Sequence, residues 1–228
     1  MLNRIIAMTA VLLSLGNLGA QTIAERTNLG ALLFLVNRDF ALSQDYVPED
    51  LVRPDVRTQY GNITMRREAS AALEALFKTA RDEQGFVLDA VSGYRSYARQ
   101  KAIYNRKIEN TGSVEKAQRL VAPPGASEHQ LGLAMDIGRK SGSGLNASFG
   151  KTKEGQWVAD NAHRFGFIIR YKEEWSGITG YAYEPWHIRY VGKEHAAELY
   201  RLNVPLEIYV EALSQALLNQ SLLGGIPQ

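Results

Sequence analysis

Apolar residues recur at helical spacing early in the chain and form short runs later. Over residues 64–84 they fall on one stripe of a predicted helix, and Gly85 follows as a stop signal. Residues 86–93 predict a strand, and Ser96 is the expected N-cap of a second helix that reaches Glu109. The stripe of the first helix consists of Met65, Ala69, Ala72, Leu73, Leu76, Phe77 and Ala80.

The rest of the chain mixes short strands with helices in no regular alternation. We predict a short helix at 113–121, strands at 131–137, 167–171 and 187–191, and helices at 156–165, 193–202 and 205–218. Residues 138–155 are rich in Gly, Ser and Lys and predict a mobile loop. No glycine fingerprint joins a strand to a helix, which disfavours a parallel dinucleotide-binding fold. The pattern therefore predicts an α+β domain with a small, mostly antiparallel sheet flanked by helices.

The first twenty residues have the pattern of a signal peptide. Arg4 supplies a positive charge, residues 5–18 are nearly all apolar, and Ala20 is a small residue suited to cleavage. The apolar run is shorter than the roughly 20 residues that a membrane span needs. We therefore predict export to the periplasm, the cell wall or the medium without a stable membrane span. An uncleaved membrane anchor is the alternative.

Composition narrows the possible chemistry. Apolar residues make up 45% and charged residues 22% of the chain, as in an ordinary soluble globular protein. A formal net charge of +2 is too small to indicate a nucleic-acid partner. The chain has no cysteine, which excludes thiolate zinc ligands, a cysteine nucleophile and disulfides. Any metal must therefore be held by His, Asp or Glu.

Two short segments carry the candidate chemistry. SEHQLGLAMD, at 127–136, contains His129 and Asp136, and EPWH, at 184–187, contains Glu184 and His187. Two imidazoles and a carboxylate are typical of a catalytic zinc site, which keeps one position open for water. A further carboxylate beside the ligands can take a proton from that water. The other two histidines, His163 and His195, are expected to be ordinary surface or core residues.

The spacing of these residues restricts how they can meet. His129 and Asp136, seven residues apart, would lie about 10 Å apart in one helix and on opposite faces of one strand. We therefore expect His129 on a turn or loop before a strand that carries Asp136. Pro185 disfavours a helix through Glu184, so a helical HExxH site is excluded. Glu184 is expected on the loop that enters a strand beginning at His187.

A third segment, SGYRSYARQ at 92–100, places Arg95 where a predicted strand gives way to a helix. An arginine at such a junction can bind a substrate carboxylate or the oxyanion of a tetrahedral intermediate. An ordinary surface arginine is the alternative.

These segments resemble those of a known family. SGYRS, PPGASEHQLGLAMDIG and GYAYEPWHIRYVG are similar to motifs of the VanY-type D-alanyl-D-alanine carboxypeptidases, which belong to a zinc peptidase group with lysostaphin-type enzymes and the hedgehog fold. The resemblance runs from about residue 46 to 192. It implies a zinc peptidase domain over 61–218, after the signal peptide (1–20) and an N-terminal approach segment (21–60), with a C-terminal tail at 219–228.

The resemblance also implies roles for individual residues. His129, Asp136 and His187 would bind Zn²⁺, and Glu184 would be the catalytic base. Arg95 would stabilise substrate or intermediate, with Ser127 and Gln100 near the substrate.

The implied reaction is removal of the C-terminal D-alanine from peptidoglycan stem peptides that end in D-Ala-D-Ala. An L,D-carboxypeptidase acting on tetrapeptide stems is the close alternative. A D,D-dipeptidase is disfavoured because free dipeptide is cytoplasmic and this chain is predicted to be exported. A wall-binding module that has lost catalysis is disfavoured because Glu184 and all three ligands are present.

Overall fold

A computed structural model describes residues 32–140 and 145–223 of the 228-residue chain. The predicted signal peptide, its cleavage near Ala20 and residues 224–228 of the predicted tail lie outside the described residues. In the part of the chain that is described, no helix is both long and apolar enough to cross a membrane.

Short strands and helices follow one another along the chain, with 3₁₀ turns at Ala147–Lys151, Ala162–Phe165 and Glu173–Trp175. The strands are β1 (Leu51–Val52), β2 (Met65–Arg66), β3 (Leu88–Ser92), β4 (Ala134–Arg139), β5 (Phe167–Tyr171) and β6 (Glu184–Tyr190). The helices are α1 (Arg67–Gln84), α2 (Tyr97–Thr111), α3 (Val114–Gln118), α4 (Glu128–Leu131), α5 (Lys153–Asn161), α6 (Ser176–Thr179), α7 (Lys193–Leu202) and α8 (Leu206–Leu223).

The main sheet has four strands in the order β3-β4-β6-β5, and each neighbouring pair is antiparallel. β1 and β2 form a separate antiparallel pair. The predicted fold class, α+β with a small and mostly antiparallel sheet, is confirmed. In the two central strands Asp136 lies opposite His187 and Ala134 lies opposite Arg189, so two of the candidate ligands are neighbours across the sheet.

One face of this sheet is apolar and packs into the main core with α1. Met135 and Ile137 of β4 and Ile188 of β6 are fully buried there, as the alternation of side chains along a strand predicts. Of the predicted stripe, Met65 lies in β2 rather than in the helix, although it is buried in the same core. The other members lie on α1 and pack into this core, and Gly85 ends that helix in the left-handed conformation. Full burial of one such large apolar side chain stabilises the fold by about 1.5–3 kcal/mol. The opposite face of β4 and β6 is therefore free to carry polar side chains.

The predicted approach segment belongs to the packed domain over its described part, residues 32–60. Val36 and Leu42 are buried in the main core, and the Leu42 amide donates to the Gly125 carbonyl at 2.9 Å. Leu33 packs in a second apolar cluster with residues of α7 and α8. The apolar run at 32–36 thus packs against the domain, with Leu33 and Val36 buried and the other three residues partly buried, because leaving it in water would cost the transfer free energy of its side chains.

Some predicted boundaries are wrong. Residues 141–144 of the mobile loop predicted at 138–155 lie outside the described residues. The rest of this stretch contains the end of β4, a 3₁₀ turn and the start of α5, where Thr152 Oγ1 accepts from the Gly155 amide at 3.0 Å. This N-cap bond satisfies one of the free amides of the first turn and gives the helix a defined start. α8 continues to Leu223, past the predicted end at 218. β6 begins at Glu184 rather than His187, because the residue before Pro185 takes extended backbone angles.

Candidate metal centre

His129, Asp136 and His187 converge on one point. Their ligand atoms all lie within 4.8 Å of one another, and all three side chains are buried. Asp136 lies between the two rings: its Oδ2 is 3.2 Å from His129 Nε2 and its Oδ1 is 3.1 Å from His187 Nδ1. Among the described residues this is the single group of three or more His, Cys, Asp and Glu that could hold a metal ion.

The local chain path explains why residues seven apart can meet. His129 lies in the one-turn helix α4, where we predicted a turn or loop before the strand. Gly132 ends this helix with φ of 75°, a left-handed conformation that costs a glycine little, and the chain then enters β4. Asp136 follows on the polar face of that strand. The prediction that no continuous helix joins the two ligands is confirmed.

Each imidazole is oriented by a hydrogen bond on the nitrogen that faces away from Asp136. His129 Nδ1 lies 2.8 Å from the carbonyl oxygen of Gly93, and His187 Nε2 lies 3.2 Å from Glu128 Oε2. A Cβ at position 93 would overlap the Thr64 carbonyl oxygen, so the close approach of this strand end requires glycine. The two rings stand perpendicular, with their centroids 5.0 Å apart.

The donor chemistry and the electrostatics fit zinc. Two imidazole nitrogens and one carboxylate oxygen form a catalytic zinc ligand set. Burial lowers the pKa of His129, which keeps this ring neutral and able to bind a metal. Burial alone would raise the pKa of Asp136, but the two histidines hold it well below its usual range. Burial likewise opposes protonation of His187, yet hydrogen bonds to Asp136 and Glu128 raise its pKa to about 9, so zinc would displace a proton when it binds this ring.

Glu184 lies beside this group without belonging to it. It is the first residue of β6, and its Oε2 is 4.0 Å from His187 Nδ1. Burial raises the pKa of Glu184 to about 7; Asp136 and Glu128 also raise it, whereas His187 and Arg95 oppose this. A carboxyl group with a pKa near neutrality can both take and return a proton at physiological pH.

Arg95 faces the same site from the segment between β3 and α2. Its Nη2 is 3.7 Å from Asp136 Oδ2 and donates to Ser92 Oγ at 2.9 Å, and its Nη1 donates to Gln100 Oε1 at 2.8 Å. The Arg95 side chain is about one-sixth exposed, so part of it remains open to a ligand. Burial lowers its pKa, while the nearby Asp136 and Glu184 oppose that effect.

The two remaining predicted site residues, Gln100 and Ser127, are both buried. Gln100 is fully buried and also donates from Nε2 to the Ala122 carbonyl at 2.6 Å, so both ends of its amide are occupied within the protein. Ser127 is buried at the N-cap of α4, and its hydroxyl makes no cap hydrogen bond. Contact of Ser127 or Gln100 with substrate stays a prediction.

One residue of the site was missed from the sequence. Glu128 is fully buried between His187 and two arginines, Arg170 and Arg189. Its signal was present, because each of these arginines follows an isoleucine within a short strand, and a buried arginine needs polar or anionic partners.

The two histidines expected to lie outside the site do so. His163 stacks on Tyr200 with ring centroids 3.8 Å apart, and His195 is hydrogen-bonded to the Tyr209 hydroxyl at 2.9 Å.

This fold and this ligand set define a zinc metallopeptidase. The chain matches the family of the VanY D-alanyl-D-alanine carboxypeptidases over residues 62–193, more than half its length, and belongs to that family. It is 46% identical over 202 residues to the putative carboxypeptidase YodJ of Bacillus subtilis, covering 86% of this chain and 72% of the relative. A D-alanyl-D-alanine carboxypeptidase of Enterococcus faecium is 32% identical over 209 residues, covering 87% of this chain and 64% of the relative.

Solved structures agree with this assignment. The LdcB LD-carboxypeptidase is 47% identical with a TM-score of 0.75, covering 85% of this chain and 91% of that one. A mutant of the vancomycin resistance D,D-pentapeptidase VanY in complex with Zn(II) is 33% identical with a TM-score of 0.64. The match covers 78% of this chain and 98% of that one.

Proposed function

We propose that this protein removes the C-terminal D-alanine from peptidoglycan stem peptides in a zinc-dependent hydrolysis. The observation that carries the proposal is the convergence of five side chains on one buried point: three zinc ligands, Glu184 and Arg95. The family membership supports the same reaction class.

The chemistry divides between the metal and the protein. Zinc, when bound by His129, Asp136 and His187, lowers the pKa of water and polarises a carbonyl group. Glu184 takes a proton from the attacking water and returns it to the amine of the departing D-alanine as the C–N bond breaks. The Arg95 guanidinium is placed to bind the C-terminal carboxylate or the negative charge that develops on the scissile carbonyl oxygen.

The comparisons divide on which residue precedes the scissile bond. Higher identity favours L,D-cleavage of tetrapeptide stems, since LdcB is 47% identical, and the L,D-carboxypeptidase DacB of Streptococcus pneumoniae is 36% identical. D,D-cleavage of pentapeptide stems, which the sequence motifs place first, is the second candidate. It is supported by the family model and by the 33% identical VanY pentapeptidase. Both reactions release D-alanine, so the site described here serves either.

The predicted export of the chain agrees with a stem-peptide substrate, which lies outside the cytoplasmic membrane. The pattern of residues 1–20 predicts a signal peptide, and mature stem peptides lie outside the cytoplasmic membrane. An exported D,D-dipeptidase would have no free dipeptide to act on, although a bifunctional dipeptidase and carboxypeptidase of Enterococcus gallinarum is 31% identical. A wall-binding module without catalysis would have no need of Glu184.

Mass spectrometry of products from defined tetrapeptide and pentapeptide stems tests the proposal. We expect loss of one D-alanine from the tetrapeptide, abolished by a chelator and restored by zinc. Cleavage of the pentapeptide alone would select the D,D-reaction instead. Release of a dipeptide, no cleavage of either stem by the zinc-loaded protein, or cleavage that a chelator leaves intact would contradict the proposal.

A further inference from the structure

A buried carboxylate supports one of the two histidine ligands. Glu128 precedes His129 in α4, but its side chain turns to the other ligand: Oε2 lies 3.2 Å from His187 Nε2. Its second oxygen, Oε1, accepts from Arg170 Nε at 2.8 Å and from Arg189 Nη1 at 2.7 Å. Both oxygens of a fully buried carboxylate are therefore occupied, one of them by a ligand of the metal site.

The two arginines are themselves fixed from several sides. Arg170 also donates to Glu207 at the start of α8, with 2.9 Å between Nη1 and Oε2. Arg189 donates from Nη2 to the carbonyl oxygens of Leu32 at 2.8 Å and Phe34 at 2.9 Å. We call Glu128, Arg170, Arg189 and Glu207 the buried charge cluster. It connects the His187 ring to the N-terminal segment and to α8.

This cluster is poorly explained as a device for stability alone. Taking charges out of water is costly, and apolar residues of similar volume often stabilise a fold as well as a buried ion pair does. A role at the metal site accounts for the one feature that packing does not require, which is the carboxylate oxygen directed at His187 Nε2.

The hydrogen bond has a chemical consequence for the ring. A carboxylate only accepts, so it selects the form of His187 that carries a proton on Nε2. When the ring is neutral, the lone pair then lies on Nδ1, the atom 3.1 Å from Asp136 and next to Glu184. His129 has the opposite arrangement, because the Gly93 carbonyl takes the Nδ1 proton and leaves Nε2 for the metal.

We propose that Glu128 is a positioning residue of the metal site, which holds His187 in the tautomer and orientation that present Nδ1 to zinc. Arg170 and Arg189 hold the carboxylate in place for this task. The inference rests on the zinc site of the proposed function. Its readouts are zinc affinity and ring tautomer, so it can fail while stem-peptide hydrolysis stands, and the reverse.

Glu128→Gln is the informative substitution. The amide oxygen is held by the two arginine donors, so the amide NH₂ is turned toward His187 Nε2 and donates to it. This favours the tautomer with the proton on Nδ1, which cannot bind zinc through that atom. Loss of a partner that orients a metal-bound histidine typically costs 10–100-fold in metal affinity. We expect a loss of that size in competition with a chelator of known zinc affinity.

Glu207→Gln is the matched control. It removes a carboxylate from the same buried charge cluster but does not touch His187. We expect it to lower the urea midpoint of the zinc-free protein while leaving zinc affinity unchanged. An unchanged zinc affinity in Glu128→Gln, or equal losses of affinity in both variants, would overturn the proposal.

A measurement on protein that keeps Glu128 covers the case in which Glu128→Gln does not fold. ¹⁵N NMR of the histidine rings distinguishes the two tautomers. In the zinc-loaded protein we expect one metal-bound ring with its proton on Nδ1 and one with its proton on Nε2. His163→Gln and His195→Gln remove the signals of the other two rings. Two metal-bound rings in the same tautomer would contradict the role assigned to Glu128.

Discussion

The two faces of the central strands β4 and β6 have different roles, because apolar and polar side chains alternate along each strand. On one face, Met135 and Ile188 contribute to an apolar core that α1 covers. On the other, Asp136 and His187 lie side by side with buried charged groups around them. Adjacent residues therefore serve either packing or chemistry. This separation predicts that substitutions on the two faces have different consequences for turnover, zinc binding and stability.

The largest effect on turnover is expected from Glu184→Ala. The ligands stay in place, so the protein should bind one zinc per chain, while loss of the general base lowers kcat by about 100- to 10,000-fold. Steady-state hydrolysis of a stem peptide with parallel zinc analysis measures both. Wild-type turnover in this variant would remove the proton-transfer role from Glu184.

Arg95→Ala is expected to have the next largest effect. Removing a donor that stabilises developing charge costs about 100-fold in turnover in comparable sites. Zinc stoichiometry should be unchanged, because Arg95 is not in the ligand group. Arg99→Ala, an exposed arginine four residues on, is the control. Unchanged kinetics in Arg95→Ala would mean that the residue is an ordinary arginine at the site's edge.

Met135→Ala changes the opposite face. A fully buried methionine replaced by alanine typically destabilises a fold by about 2–5 kcal/mol. Below the unfolding transition, zinc stoichiometry and kcat should stay near wild type, since the side chain points away from the ligands. Urea denaturation measures the loss of stability, and kinetics at low temperature measure kcat of the folded variant separately. A loss of zinc from the folded variant would show that the two faces are not independent.

The smallest effect is a pH dependence of the zinc-free protein. The pKa of His187 is raised from 6.5 to about 9 by Asp136 and Glu128, so its protonated form stabilises the fold. This contribution is complete below pH 6.5 and disappears as pH rises through about 9. The raised pKa of Glu184 lowers stability as pH rises from about 4.5 to 7, because the folded protein favours the protonated carboxyl group. This window lies below the one in which His187 titrates.

The urea midpoint of the chelated protein should therefore fall between pH 7 and 9. Zinc should abolish the slope, because metal binding displaces the proton from the ligand. A midpoint that rises or stays constant in this window without zinc would contradict the assignment.

Most residues of the candidate site could be predicted from the sequence, whereas fewer details of the fold could. Histidine, aspartate and glutamate in two distinctive segments predicted the ligand group and Glu184, because scarce residue types in such segments have few roles. The spacing of His129 and Asp136 excluded a helix but did not reveal the one-turn α4, since a single turn leaves no periodicity to detect. Glu128 was missed because a glutamate beside a ligand is expected to be solvated, and only the fold brings Arg170 and Arg189 to it.

Zinc titration of the chelated protein tests the central claim most directly. Hydrolysis of a tetrapeptide stem should be absent without metal, rise linearly with added zinc and reach its maximum at one zinc per chain. His187→Ala should neither bind zinc tightly nor recover activity. Full activity in the metal-free protein, or tight stoichiometric zinc in His187→Ala, would contradict a zinc centre built from His129, Asp136 and His187.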